Sequence, residues 1–186
     1  MISAGDNLSL GLSSNGTIIV WGSNLRHGTD IPSGLSNVVA IAAGWTHCLA
    51  LRRDGTVVGW GSPGVPLGLS NVVAIAAGGS WYANSMALKN DGTVMQWWPN
   101  GLLTAAPSGL SNVTAVAEGG NFSLALKKDG TVFGGGNGSG QTTGTPTTNS
   151  PYWASRTVEL GGQVLSNVVS IAAGKEYSLA LKVTAP

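Results

Sequence analysis

The octet Asn37-Val-Val-Ala-Ile-Ala-Ala-Gly44 returns as Asn71-Val-Val-Ala-Ile-Ala-Ala-Gly78, Asn112-Val-Thr-Ala-Val-Ala-Glu-Gly119 and Asn167-Val-Val-Ser-Ile-Ala-Ala-Gly174, and a remnant, Ile2-Ser-Ala-Gly5, opens the chain. From glycine to glycine the steps are 39, 34, 41 and 55 residues, about the size of one propeller blade, a unit too small to bury its own apolar face and stable only when stacked on its neighbours. Each octet reads as a strand, A. A second strand, B, follows after a short turn: Leu8-Ser-Leu-Gly-Leu12, Cys48-Leu-Ala-Leu51, Ser85-Met-Ala-Leu88, Ser123-Leu-Ala-Leu126 and Ser178-Leu-Ala-Leu181. Within B the leucines fall on one face and the small residues on the other, the alternation of a strand packed between two close sheets.

After B comes Asn15-Gly16, Asp54-Gly55, Asp91-Gly92 or Asp129-Gly130, then a β-branched and aromatic strand, C: Thr17-Ile-Ile-Val-Trp21, Thr56-Val-Val-Gly-Trp60, Thr93-Val-Met-Gln-Trp97 and Thr131-Val-Phe-Gly-Gly135. Asn-Gly and Asp-Gly tolerate positive φ, so these dipeptides predict two-residue type I′ hairpins between B and C. The segments from C to the next A are rich in Gly, Pro and Ser and have room for a short fourth strand. The expected fold is all-β, a β-propeller type of four-stranded antiparallel blades, four to five per chain in one repeat domain. Its units run over about 1–36, 37–70, 71–111, 112–166 and 167–186.

Composition agrees. Charged residues are 9% of the 186 and hydrophobic ones 42%, with 29 glycines and 8 prolines. That mixture suits buried strands and tight turns; amphipathic helices need a charged face, and disordered chains are poor in apolar residues. A net charge of +1 gives no basic field for nucleic acid or anionic lipid, and Arg52-Arg53 and Lys127-Lys128 read as solubilising charges beside turns. Apolar runs such as Val38 to Ala43 are too short to span a bilayer as a helix, and the first residues show no signal-peptide pattern, so neither membrane insertion nor a compartment is assigned. The single cysteine, Cys48, excludes an intrachain disulfide and reads as a small core residue.

The recurring Val-Ala-Ile-Ala-Ala-Gly, Ser/Cys-Leu-Ala-Leu, Asp-Gly-Thr-Val and Trp-Gly, with Asn137-Gly-Ser-Gly-Gln141 after the fourth C strand, resemble the regulator-of-chromosome-condensation repeat in a compact bacterial form across essentially the whole chain. The resemblance implies β-propellers, commonly seven-bladed with four-stranded blades. It extends to a repeat-built bacterial β-lactamase inhibitor whose partner-binding aromatics lie in the A–B turns, which implies protein binding as a mode without implying that target. The founder of the family exchanges nucleotide on a small GTPase and touches chromatin; no basic tail or acidic displacing loop here argues for that activity. Four C strands and five A–B pairs are too few for seven blades. A small closed ring, a ring shared between chains and a piece of a longer protein are all open readings.

No catalytic constellation is visible. His27 and His47 sit in different repeats without metal-ligand spacing, Gly174-Lys175 lacks the earlier glycine of a phosphate loop, and Gly134–Gly140 precedes no helix. Asp54, Asp91 and Asp129 are committed to turns. The chain is expected to be no enzyme and to need no cofactor or metal. Recognition remains. The A–B turns vary while their flanking strands do not, and a constant frame with variable aromatic turns is how a scaffold presents a surface. The candidate partner-binding residues are Trp45, Thr46, Ser80, Trp81, Tyr82, Asn121, Lys175 and Glu176, with a protein as partner. His47, Phe122 and Tyr177 are expected to cap the blade core instead, and for Trp45, Trp81 and Tyr82 both readings stand. An insertion over Thr142 to Gly162 supplies a secondary loop, Tyr152, Trp153 and Arg156, read either as a binding hot spot or as a lid on the core, and expected on the opposite, B–C side. The alternative function is a self-assembly unit whose incomplete terminal blades pair between chains as a homo-oligomer; a lectin-like role for the tryptophans is weaker.

Overall fold

The computed structural model describes residues 1–61, 64–79, 84–98, 101, 103–104, 110–136 and 156–183. Five antiparallel sheets follow one another along the chain, one per repeat. Blade 1 is β1 (Ile2–Ala4), β2 (Leu8–Leu12) and β3 (Ile18–Gly22), and blade 2 is β4 (Val38–Ala43), β5 (His47–Arg52) and β6 (Val57–Gly61). Blade 3 is β7 (Val72–Ala77), β8 (Ser85–Lys89), β9 (Val94–Trp97) and β10 (Leu103–Thr104). Blade 4 is β11 (Val113–Glu118), β12 (Phe122–Lys127), β13 (Val132–Gly136) and β14 (Arg156–Thr157). A two-stranded hairpin, β15 (Glu159–Leu160) and β16 (Gln163–Val164), leads to blade 5, β17 (Val168–Ala173) and β18 (Ser178–Lys182). Strands A, B and C therefore lie where the repeat places them. The fourth strand is present among the described residues only in blades 3 and 4. In blade 1 its place is taken by a loop with a 3-10 turn at Leu25–His27, whose Gly28 carbonyl accepts the indole N–H of Trp60 at 2.9 Å.

The two faces of strand B have separate duties. Leu8 and Leu10 of blade 1 pack on Ile41, Ala43, Cys48, Ala50 and Trp60 of blade 2. Leu49 and Leu51 then pack on Ala87 and Trp97 of blade 3, and Met86 and Leu88 on Ala125 of blade 4. Blades 2 and 3 thus accept their predecessor's leucines on a rear face that combines small residues with one indole, Trp60 or Trp97. Burying a leucine between sheets in this way contributes about 1.5–3 kcal/mol relative to exposure.

Backbone hydrogen bonds cross between blades at both ends of the strands. At one end the N–H groups of Val72, Val113 and Val168 donate to the carbonyls of Gly55, Gly92 and Gly130 at 3.0–3.2 Å, tying each hairpin to the next blade. At the other, Trp45 N–H donates to Gly78, Gly79 to Gly119 and Gly120 to Lys175. Here the glycine closing strand A is required: a Cβ on Gly5 would collide with the Gly44 carbonyl, and one on Gly44 with that of Gly78.

The hairpins correct one expectation. Gly16, Gly55, Gly92 and Gly130 do adopt φ of 80–85°, but the preceding Asn or Asp does not have positive φ, so these are not type I′ turns. Gly55 N–H donates to Arg52 O and Arg52 N–H to Thr56 O, which makes a longer loop whose glycine sits left-handed at a bulge. The Asp carboxylate does the closing: Asp54 Oδ1 accepts Thr56 N–H at 3.0 Å and Thr56 Oγ1–H at 2.7 Å, and Asp91–Thr93 and Asp129–Thr131 repeat the pair. The type I′ geometry occurs elsewhere, at Gly161-Gly162 between β15 and β16, where both φ angles are positive. A second surprise is the residue before each strand A: Asn37, Asn71, Asn112 and Asn167 all take φ of 56–59°, the left-handed region that Asn tolerates better than other side-chain-bearing residues.

Candidate partner-binding face

The A–B turns gather round the stack axis, where the A strands of all five blades enclose a cavity of about 380 Å³. Its wall includes Gly5, Gly119 and Gly174, which close strand A in blades 1, 4 and 5, and three charged residues, Asp6, Glu118 and Lys175. Lys175 Nζ of blade 5 lies 3.3 Å from Asp6 Oδ2 of blade 1, an ion pair that joins the two ends of the blade series at this face. Nothing in the sequence marks Asp6 as Lys175's partner, since the two are brought together only by the curvature of the stack.

Among the expected contact residues, Asn121, Lys175 and Glu176 are exposed and Trp45 is half-buried. Thr46 is a correction: it is 4% exposed, covered where the end of β6 folds over it, and it offers no surface to a partner. Gly61 shapes that cover, because a Cβ there would collide with the Thr46 carbonyl. Ser80, Trp81 and Tyr82 lie outside the described residues, as do Tyr152 and Trp153 and the side chain of Arg156. The strands that flank the insertion end on the side opposite to the one expected for it. β13 ends at Gly136, where a Cβ would collide with Asn121 O of the A–B turn, and β14 returns with Arg156 opposite Gly134. Gly136 and Arg156, on either side of that segment, thus lie toward the A–B end of blade 4, while the segment itself lies outside the described residues.

The capping residues divide. Phe122 is buried in the core between blades 4 and 5, and His47 is buried with its Nε2 3.0 Å from Ser85 Oγ of blade 3. Burial drives the His47 pKa down to about 4, so the ring is neutral near pH 7. Tyr177 occupies the equivalent place in blade 5 and is exposed. Cys48 is core as expected: fully buried, with its thiol pushed up to about 12 by desolvation.

One polar group inside the blade stack was not singled out from the sequence. Glu118 stands where the other repeats have alanine, and it is buried between blades 3 and 4. Gln96 Nε2 donates to Glu118 Oε1 at 3.1 Å and to Ser123 Oγ at 2.7 Å, and Ser123 Oγ–H donates to Glu118 Oε2 at 2.9 Å. Desolvation raises the carboxyl to about 8 against the smaller lowering effect of these bonds, so it holds its proton at neutral pH. The exchange of Ala-Ala-Gly for Ala-Glu-Gly was the available signal.

Comparison with known proteins follows this geometry. Residues 38–64, which hold the strands of blade 2, match the family model described as the regulator of chromosome condensation (RCC1) repeat. Human WBSCR16 superposes with a TM-score of 0.77 at 19% identity, over 99% of this chain and 57% of that one. Prp20p of Saccharomyces cerevisiae gives 0.70 at 19% identity over 99% and 56%, and yeast RCC1 (Prp20) in its structure with Kap60 gives 0.68 at 24% identity over 98% and 53%. The chain thus spans little more than half the length of each of these structures. A comparison with curated protein sequences finds no match. Octets, hairpins and blade stacking agree with the superpositions: the chain has a β-propeller-type fold, and its residues 38–64 match the regulator of chromosome condensation (RCC1) repeat.

Proposed function

We propose that the chain is a non-catalytic scaffold that binds a protein partner through its A–B face. The observation that carries this reading is the contrast between the two ends of the strands. The B–C turns are near copies, each closed by its own Asp or Asn and glycine, whereas the A–B turns differ in length and residue type around a single opening. Inter-blade hydrogen bonds at Trp45, Gly79 and Gly120 hold the bases of those turns, so side chains mounted on them are pre-organised and little ordering cost remains on binding. Structural relatives support the mode of action: the Prp20p structure is described with binding properties to Gsp1p and histones, and the yeast RCC1 structure holds Kap60. Those partners belong to those proteins. Here the contact set is Trp45, Asn121, Lys175 and Glu176, joined by Ser80, Trp81 and Tyr82 from the longest A–B turn and by Tyr152, Trp153 and Arg156 from the connection between β13 and β14.

The test is comparative capture from host lysate with the immobilised chain. A specific protein retained by the unaltered chain and by Lys128→Glu on the B–C face is expected to be lost from Trp45→Ala and Lys175→Glu, since removing an interface anchor costs about 2 kcal/mol or more. Loss confined to Lys128→Glu would refute the assignment of the face.

A further inference from the structure

Two differences coincide in the B–C hairpin of blade 1. It carries Asn15 where the other hairpins carry Asp54, Asp91 and Asp129, so here a side-chain amide, not a carboxylate, precedes the glycine. It is also not tied to the blade that follows. Val72, Val113 and Val168 donate to the carbonyls of Gly55, Gly92 and Gly130, but among the described residues no such bond joins Val38 to Gly16. Packing shows the same gap. A Cβ on Gly55, Gly92 or Gly130 would lie 3.2–3.3 Å from the backbone of the next blade, whereas one on Gly16 would meet nothing closer than Val38 O at 3.9 Å.

Asn15 is exposed, and its Oδ1 accepts Thr17 N–H at 3.0 Å and the hydroxyl of Ser13, which also lies 3.0 Å from Thr17 O. Both donors polarise the side-chain carbonyl and stabilise the negative charge that builds on Oδ1 when a nucleophile adds to Cγ. That nucleophile stands in the next residue. Gly16 has no side chain to obstruct its amide nitrogen, and closure onto Cγ makes a five-membered imide. We propose that Asn15 is a site of spontaneous deamidation, made reactive by a hairpin that is free to bring Gly16 N onto Asn15 Cγ. The N–Cγ bond forms, the Cγ–Nδ2 bond breaks, and the amide leaves as ammonia with the proton of Gly16 N. Water then opens the imide at one of its two carbonyls, giving aspartate or isoaspartate, and nothing is oxidised or reduced. Ring closure requires Gly16 N–H to leave Ser13 O, at 3.1 Å, and in the tied hairpins the equivalent bonds are 2.9–3.0 Å. The aspartate product fits the fold, since it restores the Asp-Gly-Thr whose carboxylate accepts the threonine N–H and Oγ1–H in blades 2, 3 and 4. It adds one negative charge to the B–C side of a chain of net charge +1. The A–B face is not involved, so the inference stands independently of the partner-binding reading.

Tryptic mapping of the full chain after incubation at pH 8 and 37 °C tests this. The peptide Met1–Arg26 holds Asn7, Asn15 and Asn24, of which only Asn15 precedes glycine. From the folded chain this peptide is expected to pass from the amide to the acid mass, with fragmentation placing the change at Asn15. Asn15→Gln, whose longer side chain would have to close a six-membered ring, should leave the peptide's mass unchanged. Asp54→Asn puts the same amide–glycine pair into a tied hairpin, where conversion at position 54 should be several-fold slower than at Asn15. In urea, with the tie gone, the two positions should convert at similar rates. Retention of the amide at Asn15 in the folded chain, under conditions that convert it in urea, would overturn the proposal. So would equal rates at positions 15 and 54 in folded Asp54→Asn, or acid forming at Asn7 or Asn24 as fast as at Asn15.

Discussion

Two buried groups with opposite titration behaviour fix how stability should depend on pH. Glu118 keeps its proton in the folded chain up to about 8 but loses it near 4.5 when exposed, so its contribution is fully present below 4.5 and declines as pH rises toward 8. His47 is neutral in the fold down to about 4 but takes a proton below 6.5 when exposed, so its contribution is fully present above 6.5 and declines as pH falls toward 4. Between 4.5 and 6.5 the folded state holds one proton more at Glu118 and one fewer at His47, and the two slopes cancel. Above 6.5 only the glutamate acts, and at about 1.4 kcal/mol per pH unit stability should fall by about 2 kcal/mol between pH 6.5 and 8. For a chain of this size that is a drop of roughly 4–8 °C in melting temperature. Glu118→Gln isolates the cause. A glutamine keeps the size, accepts from Gln96 and donates to Ser123, but cannot ionise. The variant should lose the fall above pH 6.5 and uncover the histidine's rise, about 3 kcal/mol between pH 4 and 6.5. Urea midpoints at pH 4.5, 6.5 and 8 measure both. If Glu118→Gln still loses stability above pH 6.5, burial of this carboxyl is not the source and the reasoning fails.

Two shorter predictions test the frame. Gly55→Val places a β-branched residue at a φ of 81° and sets its Cβ 3.2 Å from the Asn71 backbone of the next blade, so destabilisation should exceed about 1 kcal/mol in a urea titration. Cys48, buried and with its thiol raised to about 12, should resist iodoacetamide at pH 8 in the folded chain and react promptly in denaturant, read by intact mass.

What was legible in the sequence is what one repeat determines alone. The octet, Ser/Cys-Leu-Ala-Leu and Asp-Gly-Thr gave strands A, B and C and the two faces of strand B because period-two alternation and a fixed glycine constrain local geometry whatever lies beyond. The turn type escaped because Asp-Gly is compatible with two loop lengths, and the choice was made by a side chain: Asp54, Asp91 and Asp129 accept two hydrogen bonds from the following threonine, which rewards the longer loop. The αL asparagines were read as the first residues of strands for a similar reason. Their role depends on Arg53, Asn90, Lys128 and Val183 donating N–H groups to the carbonyls of Asn37, Asn71, Asn112 and Asn167, contacts that no single octet displays.

The candidate face was less legible because its properties come from place in the stack. Trp21, Trp60 and Trp97 end equivalent strand-C segments, each opening on Thr, yet the first is half exposed and the other two are core. Nothing local separates them; what differs is whether a preceding blade supplies leucines. Phe122 and Tyr177 make the same point at the forward side, one aromatic covered by the following blade and the other left open. Lys175 was chosen for its place in a variable turn, but its geometry comes from Asp6, at the far end of the chain in sequence and across the axis in space. In a stacked-repeat chain each side chain's chemistry is therefore the product of two factors: a repeat motif that sets its direction, and an ordinal position that sets whether anything lies in that direction. Trp21 and Leu181 are exposed for this reason: the repeat gives them a direction, and within the described residues no neighbouring blade fills it.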